Sequence, residues 1–358
     1  MPFSRIEPAC GRSRKDVGMD ADVFTEPLMG QEPERRMLAA LRPHLGGLAV
    51  DVGAERGEMA TALLDDGWGP LTLIEASPRN VESLRARFEQ RAEVTVLGLA
   101  ASDRDGTVEI RVATTPGGKA APAFDSAVPR RGAGHASPGS PGHLFGEATP
   151  VEARSLDSLV EEGLLPATPD LLKVDVEGME VAVLAGAAGI RPSLLMVEHW
   201  LDLPGSHGGC PWTLEELRGL VGRLGLRRFA CFSHSELHTR ISLDEGGPVS
   251  GEWANLIFFD EQLASVAEAA VSDVRAYLET RLIARVEAYR AAAEERLAMA
   301  GELKLIAAER LQQLEAVSAE AGRTREQLEA VSAEAARLRE QLGLAGSTRL
   351  NPRRRQTP

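Results

Sequence analysis

At 358 residues, 43% hydrophobic and 26% charged, the chain can bury a sizeable core, while 4% aromatic content and no aromatic after Tyr289 mark part of it as non-globular. A formal net charge of -13 argues against a protein built on phosphate contacts, so no nucleic-acid partner is expected. Cys10, Cys210 and Cys231 lie far apart with no C-x-x-C spacing, and neither a signal-peptide stretch nor an apolar run of about 20 residues occurs. These features place the chain in the reducing cytoplasm, with no membrane span.

Residues 1–30 mix Pro, Gly, Arg and Asp without period and read as a mobile leader. Met37, Leu38 and Leu41 predict a short helix stopped near Pro43, and Leu48 to Val52 form a compact buried strand. Helix-like stretches (Gly57 to Leu64, Arg79 to Phe88, Met179 to Gly186, Leu214 to Leu224) then alternate with short apolar strands. Those strands fall at Leu71 to Glu75, Val94 to Leu97, Leu171 to Val176 and Leu194 to Glu198. Alternation of this kind predicts an α/β domain over 31–260, a mostly parallel sheet with helices on both faces. Two later runs, Arg228 to Phe232 and Asn255 to Phe259, complete the sheet as a hairpin at one edge. Pro116 to Gly146 is a Gly/Pro/Ala/Ser-rich interruption carrying His135 and His143, a substrate lid or a disordered insertion. No carboxylate or cysteine stands near those histidines at ligand spacing, so no metal site is read there.

From 261 to 345 Ala, Glu, Arg and Leu dominate without a proline, which predicts continuous helix. Gln313 to Ala321 recurs as Gln327 to Ala335, two heptads later. With Leu314 at position a, the seam reads Leu314, Val317, Ala321, Thr324, Leu328, Val331, Ala335, Leu338, Leu342. This predicts a coiled coil through 303–342, its partner being another copy, another protein, or 271–297 folding back. Residues 346–358, with Arg353 to Arg355, read as a basic disordered tail.

The chemistry-bearing residues cluster at strand ends. Gly53 and Gly57 in the first strand-to-helix turn allow a ligand to approach the backbone. Glu75, about twenty residues past Gly53, stands where an acidic side chain accepts from ribose hydroxyls. The dinucleotide pattern G-x-G-x-x-G is absent, which disfavours a nicotinamide oxidoreductase. Asp175 and Glu177 follow a buried strand, Lys173 could either pair with Asp175 on the same strand face or reach solvent at the strand's other end, and Glu180 is expected as a first-turn helix-dipole partner. Glu198 and His199 end the next strand, where imidazole is the natural base near neutral pH.

The order of these motifs (Asp51-Val52-Gly53-Ala54 with Gly57, Ile74-Glu75, Ala101-Ser102-Asp103 with Gly106, Ser155 to Leu159, Leu172 to Glu180, and Glu198) resembles the FkbM family of S-adenosylmethionine-dependent methyltransferases over Leu48 to Trp200. The resemblance implies a seven-stranded Rossmann-like methyltransferase sheet. It also implies methyl transfer to a hydroxyl of a sugar, glycan or natural product. It assigns Asp51, Gly53 and Gly57 to the cofactor's amino-acid end, Glu75 to its ribose, and Ala101, Ser102 and Asp103 to its adenine. Asp175 is the expected general base, with Glu177, Glu198 and His199 as further candidates; oxygen ligands at Asp175 and Glu177 suit Mg²⁺, but no metal is required. The family often has Asn where this chain has Glu55, whose longer acidic side chain could bind the cofactor's ammonium or weaken binding. The competing reading is a non-catalytic assembly protein, with the coiled coil as its working part and a degenerate methyltransferase-like domain.

Overall fold

The computed structural model describes residues 31–114, 144–200, 212–234, 239–244 and 253–341. The leader, the basic tail, Leu342, Cys10, Cys210, His135, His143 and nearly all of the 116–146 interruption lie outside the described residues.

Helix α1 (Glu32–Leu41), with a proline in its first turn, precedes β1 (Ala49–Val52), α2 (Glu58–Asp65), β2 (Leu71–Glu75), α3 (Pro78–Arg87) and β3 (Val94–Gly98). Strands β4 (Ala100–Ser102), β5 (Gly106–Thr114) and β6 (Leu144–Ser155) follow, then α4 (Leu156–Glu161), β7 (Leu171–Val174), α5 (Glu180–Ala185) and β8 (Leu194–Trp200). The domain is completed by α6 (Leu214–Arg223), β9 (Arg228–His234), β10 (Thr239–Leu243) and β11 (Trp253–Phe259), before α7 (Ala264–Gln341).

The main sheet has eight strands in the order β10-β9-β11-β8-β7-β1-β2-β3, of which β3, β2, β1, β7 and β8 are parallel neighbours. The seven expected strands are present, and β10 adds an eighth by pairing antiparallel to β9. The late strands depart from the expected edge hairpin: β11 lies between β9 and β8, antiparallel to both, and β9 and β10 form the edge. A second sheet, β4-β6-β5, was not legible in the pattern. Its strands β5 and β6 are largely solvent-facing, and the interruption separates them.

The core has two faces. On one, Met37, Leu41, Leu73, Met196, Phe232 and Phe259 pack with α1 and α7; on the other, Val52, Val174, Val197, Leu217 and Phe258 pack with α4, α5 and α6. Helix α6 starts with a full capping box, Thr213 and Glu216 each satisfying the other's backbone N–H. Cys231 is buried. No helix among the described residues is long and apolar enough to cross a membrane.

Two compact units are distinguished, the first ending at Arg285 and the second beginning at Val286. The boundary expected at Asp260 falls short of where burial ends, because Ala267, Ala270, Val271 and Val274 of α7 are buried in the first core. These Ala and Val positions blend into the Ala-rich composition that follows, which hid them. Asp260 caps the entry to this helix, its side chain accepting from Gln262 N at 2.9 Å and Leu263 N at 3.1 Å.

A chain ended after Asp260 therefore loses the cover over its core. At ~1.5–3 kcal/mol per buried apolar side chain, removing Leu263, Val271 and Val274 should cost about 5 kcal/mol or more. Thermal unfolding should show this fragment melting at least ~10 °C below one ended after Arg285, and equal melting temperatures would contradict the boundary.

Candidate active site

The parallel strands diverge between β1 and β7, where the chain, having built β2 and β3 on one side, crosses to the other; open α/β sheets bind ligands at such a switch point. A cavity of about 450 Å³ opens there. Among the described residues, seven that line it are acidic (Asp51, Glu55, Glu58, Glu75, Asp175, Glu177, Glu198), and Lys173 is the single cationic side chain.

Lys173 cannot face solvent. It is the cross-strand neighbour of Asp51, so both side chains stand on one face of the sheet. Its ammonium lies 3.1 Å from Asp51 Oδ1 and 3.2 Å from Asp175 Oδ2. Asp51 is fully buried and Lys173 is 3% exposed. Burial works against the Lys173 charge, but the two carboxylates outweigh it and raise its pKa. Burial also raises Asp51, with Lys173 opposing the shift. The lysine is thus committed as a counter-ion and holds two strand ends together.

Two further carboxylates fix the loops on either side. Glu75 accepts from Glu55 N at 2.8 Å and Ser77 N at 2.7 Å, tying the glycine turn to β2. Gly53 sits at φ 82°, and an added Cβ would lie 1.7 Å from the Asp175 carbonyl oxygen, so no other residue fits between the β1 and β7 ends. Glu55 adopts φ 49°, a region where Asn is more at home than Glu. Burial, then Glu58, raises its pKa. Across the cavity, Glu180 Oε1 accepts from Val176 N at 3.1 Å and Gly178 N at 3.0 Å, and its Oε2 from Trp212 Nε1 at 3.1 Å. Beyond its place in the first turn of α5, Glu180 therefore clamps the loop on which Glu177 stands at φ 54°.

Asp175, Glu177 and Glu198 converge, their carboxylate oxygens lying within 4.8 Å of one another, an arrangement that oxygen-seeking divalent ions also favour. Glu198 answers the crowding by holding its proton: burial first, then Asp175 and Glu177, push its pKa well above the ordinary carboxylate range, and a hydrogen bond to Asp175 adds to the shift.

Of the residues singled out from sequence, Asp51, Gly53, Glu75, Ala101, Asp175, Glu177 and Glu198 line this one cavity. Gly57, Ser102, Asp103 and His199 do not. Gly57 caps α2 at φ 83°, where an added Cβ would meet Phe88 at 2.6 Å, so its role is packing. Ser102 and Asp103 run past the cavity to the end of α5, where Gly186 leaves 2.3 Å between a notional Cβ and Ser102 O. His199 follows Glu198 on a strand, so it faces the opposite side and packs on Trp212, ring centroids 4.8 Å apart.

Sequence reasoning missed Gln31, Val108, Ile110 and Trp253, which also line the cavity. Trp253 stacks on His234 at 4.2 Å. That imidazole is hydrogen-bonded to Glu34 Oε1, to which Asn255 Nδ2 also donates at 2.7 Å, and to Thr239 Oγ1 at 2.9 Å. All of Glu34, His234 and Asn255 are buried, so the tryptophan stands on a fixed polar base.

Residues 51–200 match the methyltransferase FkbM domain. No curated protein matches in sequence. Among solved structures the chain is similar to magnesium protoporphyrin IX methyltransferase from Synechocystis PCC 6803, at 11% identity and TM-score 0.35, covering 64% of this chain and 79% of that one. It is also similar to Aeropyrum pernix fibrillarin, at 13% identity and TM-score 0.32, covering 62% and 74%. A third is a protein from Pyrococcus horikoshii described as a putative RNA methyltransferase, at 11% identity and TM-score 0.33, covering 63% and 81%.

A raised Glu198 pKa means that the folded chain keeps a proton the unfolded chain releases above about pH 4.3. Stability from this group is complete below that value and lost as pH rises through the folded-state one. Glu198→Gln should flatten the fall in stability on the alkaline side by up to about 1.4 kcal/mol per pH unit. Denaturant unfolding from pH 5 to 8.5 checks this, and parallel curves for the two proteins would contradict the protonated assignment.

Proposed function

We propose that the chain is an S-adenosylmethionine-dependent methyltransferase acting on a hydroxyl oxygen of an uncharged sugar, glycan or natural product. The observation that carries this reading is the charge of the cavity: among the described residues it is lined by six carboxylates besides the protonated Glu198, against one lysine already bound to two of them. A ligand with an ammonium and a sulfonium suits such a field, whereas a dinucleotide would bring a pyrophosphate into it.

The residues fit the cofactor end to end. Asp51 and Glu55 supply carboxylates for the ammonium, and Gly53 lets the ligand reach the main chain. Glu75, at the end of β2 and lining the cavity, offers its carboxylate to the ribose hydroxyls. Ala101, with Leu99, Val108 and Ile110, gives an apolar wall for adenine. Ser102, Asp103 and Gly57 have no direct part in this assignment.

Bound S-adenosylmethionine would supply a methyl group on sulfonium, its C–S bond breaking as the acceptor's O–C bond forms. Glu177, Glu198 and Trp253 define the acceptor side, the indole offering a flat apolar face to a ring. Asp175 takes the hydroxyl proton, so the acceptor oxygen does not become cationic. Lys173 and the protonated Glu198 both hold the Asp175 carboxylate, fixing its direction. His199, turned away from the cavity, is not assigned a catalytic part.

A purely structural α/β domain would not be expected to retain this arrangement, since burying an ion triad costs stability relative to apolar packing. That weighs against the assembly-only alternative.

Transfer from methyl-labelled S-adenosylmethionine to a panel of neutral sugars and polyketide alcohols tests the activity. Asp175→Asn should lower the rate at least ~100-fold while changing cofactor affinity only a few-fold. An undiminished rate in the variant would overturn the base assignment, and transfer to nitrogen acceptors alone would overturn the O-methyl reading.

A further inference from the structure

The tail offers an observation independent of the methyltransferase site. Helix α7 runs unbroken from Ala264 to Gln341, so 271–297 has no turn by which to fold back on the later seam. Every residue from Ala293 to Glu340 is exposed, and the seam with them: Leu314 66%, Val317 63%, Leu328 66%, Val331 67%, Leu338 48%. A seven-residue apolar repeat drifts by about 20° per heptad on a straight helix, and stays on one line only when helices supercoil.

The flanking charges say which helix fits. With Leu314 at a, the g positions are Gln313, Glu320, Gln327 and Glu334, and the e positions are Ser318, Arg325, Ser332 and Arg339. In a parallel pair, g of one helix meets e of the following heptad of its partner. Register zero therefore sets Glu320 against Arg325, Glu334 against Arg339, and Gln against Ser in the alternate heptads. An antiparallel pair sets g against g and e against e, opposing acid to acid or Gln, and Arg to Arg or Ser. In the single chain Arg325 pairs only weakly along its own helix, with Glu329 at 3.2 Å and both exposed. The acidic and basic rows belong to one sequence, so the helix is complementary to itself.

We propose that residues 314–341 form a parallel, in-register coiled coil with a second copy of this chain, oriented by Glu320–Arg325 and Glu334–Arg339 pairs between helices.

Full-length chains carrying Val317→Cys or Val331→Cys test it directly, because only a parallel in-register coil apposes each d position with itself. Mild oxidation should convert both variants to covalent dimers on non-reducing gels. The unmodified chain and Ala319→Cys, at the outer f position, should not cross-link. Cross-linking at one of the two positions alone would show antiparallel pairing, and cross-linking at neither, with a monomeric mass in sedimentation, would show no pairing; either overturns the proposal. A Glu320→Lys/Glu334→Lys chain should dissociate at a concentration at least ~10-fold higher, with pairing restored by mixing in an Arg325→Glu/Arg339→Glu chain. Failure of the mixture to restore pairing would overturn the charge assignment.

Discussion

One ammonium, that of Lys173, is buried between the Asp51 and Asp175 carboxylates, and the site is organised around it. A lysine is tolerated there because two carboxylates face its ammonium, and two carboxylates that close are tolerated because of the lysine. The three side chains bridge β1 and β7, the strands whose divergence opens the cavity. Two carboxylates against one ammonium already leave the triad with an excess of negative charge. Each carboxylate added beyond it must either attract a cation or keep a proton, and Glu198 keeps its proton.

The cavity walls obey a second constraint. Both loops that close it pass through left-handed backbone at an acidic residue, Glu55 on one side and Glu177 on the other. Each is held by a carboxylate outside the turn, Glu75 for the first and Glu180 for the second, accepting backbone N–H groups of the loop. Strain of this size, about 1 kcal/mol for each such residue, persists where surrounding bonds over-determine the conformation. The acidic side chains are thereby presented from rigid loops at fixed positions, as a site that must align reacting atoms requires.

Much of this was legible in sequence because buried parallel strands announce themselves as short apolar runs, and their final residues fall at the ligand edge. Glu75, Asp175 and Glu198 were found that way, and Asp51 through the family resemblance. The failures have equally local causes. Two adjacent residues of one strand cannot face the same side, so Glu198 reaches the cavity and His199 does not. Ser102 and Asp103 follow Ala101 in sequence yet leave the cavity for α5. Trp253 is delivered by an antiparallel strand more than fifty residues after Glu198, and nothing local marks it. The tail's helical character was plain from composition, whereas the alanines and valines that tie its first turns to the core resemble those that do not.

The central claim is that the negative field of the cavity selects a cationic, pyrophosphate-free cofactor. Titration calorimetry of the full chain with S-adenosylmethionine and with NAD⁺, at two ionic strengths, tests it most directly. S-adenosylmethionine should bind with micromolar affinity that weakens as salt is added, and NAD⁺ should show no detectable binding. Binding of NAD⁺ with equal or greater affinity, or no binding of S-adenosylmethionine at either ionic strength, would contradict it.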